Sequence, residues 1–105
     1  MATAELTIIT PGRPTESASG YIAEVIAYLE KQDRVRFELH GMGTNLEGSA
    51  VDVLTIVGEL HELLFSTGIA RVYSVLKLDE RRDRPDQTLD DKVRAVREKL
   101  SESQA

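Results

Sequence analysis

Two hydrophobic periods alternate along this chain of 105 residues, and their order leaves few folds open. Thr3 to Thr10 sets Ala4, Leu6 and Ile8 on one side and Thr3, Glu5 and Thr7 on the other, the period of two expected of a half-buried strand. Pro11-Gly12-Arg13-Pro14 punctuates it. Ser17 or Ser19 can then cap a helix whose apolar residues, Ile22, Val25, Ile26 and Leu29, recur at the spacing of one helical face. Arg34 to His40 alternates again, with Val35, Phe37 and Leu39 set against Arg36, Glu38 and His40. Gly41-Met42-Gly43 reads as a tight reversal, since glycine reaches positive φ without steric cost, and Thr44 to Glu47 reads as the returning strand. A second helix is predicted from Ala50 to Ser66, with Val53, Val57, Leu60 and Leu64 inward and Gly68 stopping it in the left-handed conformation. Arg71 to Leu78 is the last strand, with Val72, Leu76 and Leu78 inward and Arg71, Tyr73, Val75 and Lys77 outward. Beyond a charged connector, Thr88 and Asp91 form a capping box for a third helix, striped by Leu89, Val93, Val96 and Leu100.

The order is therefore β-α-β-β-α-β with one C-terminal helix, an α+β fold of the ferredoxin-like, split βαβ kind. With no repeat and no low-complexity tract, residues 1–105 are expected to form one domain, and 41% hydrophobic residues suffice for a single core. A net charge of −5 disfavours sequence-independent nucleic-acid binding, which relies on Lys and Arg against phosphates. The absence of cysteine excludes disulfides, thiolate zinc sites and thiol catalysis. No apolar run approaches the ~20 residues of a membrane helix, and the Met1-Ala2-Thr3-Ala4-Glu5 start lacks a basic signal-peptide region. A cytoplasmic protein with no membrane or nucleic-acid partner is expected.

Two helices cover only one face of such a sheet. The alternation puts Glu5, Thr7, Ile9, Arg36, Glu38, His40, Tyr73, Val75 and Lys77 on the other, joined by Asn45 and Glu47. A face mixing apolar groups with carboxylates and cations points to contact with another molecule or a second copy of the chain. Lys77 with Glu5 or Glu38 reads either as a structural ion pair or as part of a ligand contact.

Other chemical signals are sparse. His40 and His61 do not have metal-ligand spacing, and no metal or cofactor is expected. Ser17, Ser19 and Ser49 lack a nucleophile-elbow setting, and Gly41-Met42-Gly43 lacks the closing glycine of a dinucleotide fingerprint, where Leu46 stands. Arg81, Arg82 and Arg84 alternate with Asp79, Asp83 and Asp86 and read as a salt-bridged connector.

The run Glu38-Leu39-His40-Gly41-Met42-Gly43-Thr44-Asn45-Leu46-Glu47-Gly48 resembles the Gly-Met-Gly-Thr-x-x-Glu signature of the thiamine-binding protein family, in the YkoF-like superfamily. Thr3 to Thr10 is similar to that family's first strand, Arg71 to Asp83 to its last strand and the charged segment after it, and Asp91-Lys92-Val93 to the start of its last helix. The resemblance spans nearly the whole chain. It implies a ferredoxin-like fold with an extra helix, assembly through sheet faces into dimers or tetramers, and binding of thiamine or its hydroxymethylpyrimidine part without catalysis. Met42, Gly43, Thr44 and Glu47 match the signature, and strand geometry adds Glu5, Ser19, Glu38 and Lys77 as ligand-binding candidates.

The chemistry is consistent with that implication. A carboxylate attracts a thiazolium and accepts from an aminopyrimidine edge, Tyr73 can offer an aromatic face, and the bare backbone around Gly43 permits close approach. The alternative is an assembly module whose sheet face binds only copies of itself or a protein partner. Acylphosphatase chemistry is disfavoured because Pro-Gly-Arg-Pro around Arg13 is not a phosphate-cradling loop. RNA binding on the sheet is disfavoured because aromatics make up 5% of residues.

Overall fold

The computed structural model describes residues 1–11 and 19–104, with the Ser19 side chain outside the described set. Strand β1 spans Ala2–Ile9, helix α1 Ser19–Leu29, β2 Arg36–His40, β3 Gly43–Gly48, α2 Ala50–Ser66, β4 Tyr73–Glu80 and α3 Leu89–Gln104. The strands form one antiparallel sheet in the order β2-β3-β1-β4, the ferredoxin-like arrangement. The Pro11–Pro14 loop beyond Pro11 and the Ser17 cap lie outside the described residues.

Helices α1 and α2 cover the face formed by Ala4, Leu6, Ile8 and Leu46, and Val25, Leu29, Val53, Ile56, Leu60 and Leu64 complete the core from the helical side. Two positions shift from the periodic reading. In α2, Ile56 is fully buried and Val57 only partly so. In α1, Tyr21 joins the core, made tolerable by its hydroxyl donating to the carbonyl of Ile8 at 3.2 Å. Ser49 caps α2 by accepting from the Asp52 N–H at 3.1 Å, and Gly68, at φ 92°, ends it as anticipated.

Strand boundaries follow their partners. β2 begins at Arg36 rather than Arg34 because the Gln32 amide organises a turn, accepting from Val35 N–H at 2.9 Å and donating to the carbonyls of Leu29 and Val35. β4 starts at Tyr73 rather than Arg71 and runs to Glu80 because β1 offers paired positions from Ile9 back to Ala2. Leu39, expected inward, is 51% exposed at the edge of helical cover, and Leu78 also stays exposed.

Arg34, between α1 and β2, makes a two-pronged contact with Glu59 of α2 at 2.8 and 3.1 Å, and the Tyr28 hydroxyl of α1 donates to the same carboxylate. The guanidinium first, and the phenol second, hold the Glu59 carboxyl down at about 2 from an ordinary 4.5.

Helix α3 lies on the opposite face. Thr88 and Asp91 form the reciprocal capping box, Asp91 N–H donating to Thr88 Oγ1 at 3.0 Å and Thr88 N–H to Asp91 Oδ2 at 2.9 Å. Its attachment is polar: Glu47 Oε1 accepts from Leu89 N–H at 2.8 Å, and Lys92 Nζ reaches Thr3 Oγ1 at 2.7 Å and Asp79 Oδ2 at 2.6 Å. No residue of α3 is buried. Leu89 of its apolar stripe is half-buried against the sheet, whereas Val93, Val96 and Leu100 stay exposed, Val96 at 68%.

Glycine 43 is needed for space rather than for its turn. Gly68 is the only described residue at positive φ, so the reversal through Gly41 and Met42 does not use the left-handed region. A Cβ on Gly43 would lie 2.8 Å from the Leu6 carbonyl oxygen, backbone that cannot step aside, whereas a Cβ on Gly41 meets nothing within 4 Å. Chemical denaturation should therefore show Gly43→Ala losing about 1–3 kcal/mol, the range for forced overpacking, and Gly41→Ala changing by less than ~0.5 kcal/mol; equal costs would refute the assignment. For Glu59, a lowered carboxyl contributes stability above its unfolded value and loses it as pH falls through the folded one. The deficit in Tm of Glu59→Gln should thus be full above about pH 4.5 and shrink towards pH 2; a pH-independent deficit would remove the ionic explanation.

Candidate functional site

β2 and β3 pair His40 with Gly43, leaving Gly41 and Met42 as a two-residue turn. The Met42 backbone is held on both sides: its carbonyl accepts from Thr7 Oγ1 at 3.3 Å, and its N–H donates to His40 Nδ1 at 3.3 Å. Met42 as a whole is 82% exposed.

Between this turn and α1 opens a cavity of about 680 Å³, of a size that encloses small organic ligands. Leu6, Ile8, Ile22, Val25 and Leu39 give it apolar walls, and Met42, Gly43 and Thr44 form the side towards the turn. His40 and the buried Tyr21 also line it. The pocket thus combines flat apolar surface, suited to a ring, with backbone polar groups at one edge, suited to the donors and acceptors of a heterocycle.

The remaining candidates do not converge there. Glu5 sits at the centre of the sheet face away from α1 and α2, with its carboxylate 3.3 Å from His40 Nε2 and 3.8 Å from Lys77 Nζ, so the Lys77–Glu5 ion pair read from alternation is present. Glu38 and Glu47 line a separate cleft of about 180 Å³ with Arg36, Asn45, Leu89 and Val93. There Glu47 is engaged by the α3 backbone. Ser19 opens α1. The face expected to receive the ligand and the cavity that could enclose one are therefore different places, joined at His40, which borders the cavity and touches Glu5.

His40 and the α1 residues that line the cavity were not among the candidates. Ile22 and Val25 carry no signal beyond ordinary helical periodicity. His40 did carry one: it shares a strand face with Glu5's neighbours and stands two residues before Met42. Elsewhere, His61 is half-buried and bonded to Ser74 Oγ at 2.8 Å. Arg81 pairs with Asp83, in keeping with a salt-bridged connector. Among the described residues there is no cluster of His, Cys, Asp or Glu able to hold a metal ion, and no helix long and apolar enough to cross a membrane.

Comparison with known proteins adds independent information. A family model described as thiamine-binding protein matches residues 4–97. A UPF0045 protein of Methanothermobacter thermautotrophicus is 45% identical over 101 residues, covering 95% of this chain and all of that one. Among solved structures, a hypothetical protein from Methanocaldococcus jannaschii superposes with a TM-score of 0.76 at 35% identity, covering 90% of this chain and 94% of its own. A Thermotoga maritima protein described as a candidate for thiamine biosynthesis or salvage superposes with a TM-score of 0.74 over 90% of this chain and 97% of its own, and at 19% identity it speaks for the fold alone.

The Glu47 contact yields a direct check. Removing the acceptor of an otherwise unpaired first-turn N–H should cost about 0.5–2 kcal/mol. In Glu47→Ala, amide exchange should accelerate at Leu89 and through the first turn of α3 while β1 amides keep their protection; unchanged α3 protection would mean the contact holds nothing.

Proposed function

Because the chain belongs to the thiamine-binding protein family, we propose that it binds thiamine, or the hydroxymethylpyrimidine part of it, in the cavity between α1 and the β2–β3 turn, and that it holds this ligand without transforming it. The observation that carries the reading is the position of Met42, Gly43 and Thr44, three of the four residues that match the signature, on the wall of an apolar cavity of ligand size. A pyrimidine ring would lie against Leu6, Ile8 and Ile22, with its polar edge towards the turn backbone. Glu5, one contact away through His40, supplies the negative charge that favours a cationic ligand at the rim. Such a protein would serve as a cytoplasmic carrier or buffer of the vitamin.

Glu38, Glu47 and Lys77 remain candidates for a second arrangement in which the ligand rests on the α3 side of the sheet. Titration calorimetry separates the two. Leu39→Trp, which fills the cavity from a half-exposed edge, should weaken thiamine binding at least ~10-fold, about 1.4 kcal/mol, while Glu47→Ala should change it less than ~3-fold. The reverse pattern would move the ligand to the cleft beside α3. A flat titration of folded, ligand-free protein would end the thiamine reading.

A second reading concerns assembly, and the exposed apolar groups favour it. Ile9, Tyr73 and Val75 on the sheet, together with Val93, Val96 and Leu100 on α3, are all left accessible on the side that α1 and α2 do not cover. A patch of this kind is ordinarily covered. We infer that a second copy covers it, giving a dimer or tetramer. Sedimentation equilibrium should report an assembled species, and Val75→Glu should shift it towards the monomer; a monomeric parent protein would overturn the inference.

A further inference from the structure

We propose that His40 is a positioning residue for the Gly41–Met42 turn, holding it against the cavity while the imidazole is neutral and releasing it when the ring gains a second proton. The effect on the turn stands on the hydrogen bonds alone; its effect on ligand affinity rests on the binding reading above.

The argument starts from where the backbone bonds go. A two-residue turn leaves Met42 N–H without a strand partner, and His40 Nδ1 accepts it at 3.3 Å. With the Met42 side chain in solvent, the turn is held by this bond and the one from Thr7 rather than by packing. A ring nitrogen that accepts carries no proton, so the neutral imidazole bears its hydrogen on Nε2, which faces the Glu5 carboxylate at 3.3 Å. One tautomer satisfies both contacts. A second proton can go only to Nδ1, where it would point at the Met42 N–H. Two donors then face each other, and the turn loses its acceptor.

Charged groups stand close to the ring. Glu5 of β1 touches it, Glu38 lies one pleat along the same face of β2, and Lys77 of β4 meets the other oxygen of Glu5. Among the described residues, the α1 side chains lining the cavity, Tyr21, Ile22 and Val25, bring no carboxylate or ammonium. Protonation therefore exchanges a turn hydrogen bond for a stronger ion pair. The imidazole reaches Glu5 across β3 because Gly43, directly beside His40, presents no side chain; a Cβ there would stand 3.6 Å from Glu5 Cγ. A cationic His40 beside the cavity also repels a cationic ligand, so turn release and charge act in the same direction.

Amide and imidazole resonances of the labelled full chain, followed from about pH 8 to pH 5, where histidine side chains ordinarily titrate, test the proposal without any ligand. The Met42 amide should shift with the midpoint of the His40 ring, and its solvent exchange, corrected for intrinsic rate, should rise ~10-fold or more at the acid end. His40→Asn keeps an acceptor near the Nδ1 position and cannot titrate, so both changes should vanish in it. A Met42 amide indifferent to the His40 titration, or an identical response in His40→Asn, would overturn the proposal. In a second arm, thiamine affinity should fall on acidification ~3-fold or more beyond the fall in His40→Asn; parallel pH profiles would sever the turn from binding. Absence of thiamine binding at every pH would defeat the functional reading, while the resonances would still decide the role of His40.

Discussion

The close approach of β3 to β1 at Gly43 is the constraint on which the site depends. A side chain there would press on the Leu6 carbonyl, so the central pairing of the sheet requires glycine at this register. The same missing side chain opens a gap on the far face, through which His40 of β2 meets Glu5 of β1. It also brings Met42 and Thr44, on either side, to the cavity wall. One residue thereby couples sheet closure, the electrostatics of one face and the shape of the pocket on the other.

The two faces are stabilised by different physics. On the α1–α2 side, burial of leucine, isoleucine and valine does most of the work, at about 25 cal/mol per Å² of apolar surface, and the Arg34–Glu59–Tyr28 cluster pins the helices from outside. On the other side α3 is tethered by Glu47, Thr3 and Asp79, and Val93, Val96 and Leu100 of its apolar stripe stay exposed. Solvent-exposed ion pairs contribute little each. A helix with polar moorings and an exposed apolar stripe leaves surface that the proposed second copy would cover.

Much of the architecture was readable before any coordinates. The ends of α2, the Thr88–Asp91 box, the inward Ala4, Leu6 and Ile8 of β1 and the Gly68 stop follow from local rules: periodicity, capping and backbone freedom. The misses share a different character. β2 starts late because Gln32 binds backbone on both sides of it, and β4 is longer than its own pattern because β1 extends to meet it. The glycines of the signature looked like turn residues, although Gly43 serves the sheet. Glu47, read as a ligand-binding candidate of the signature, also accepts from an amide 42 residues away, a partner no local pattern announces.

The residues alone thus determined the elements, their order and the composition of each face, because helix and strand periods are properties of neighbours along the chain. Only the folded arrangement decided that an apolar cavity opens between α1 and the β2–β3 turn, that Glu47 moors a helix, and that His40 stands between pocket and carboxylate. Cavities and hydrogen-bond partners belong to groups distant in sequence, and their distances are set only once the strands have found their register.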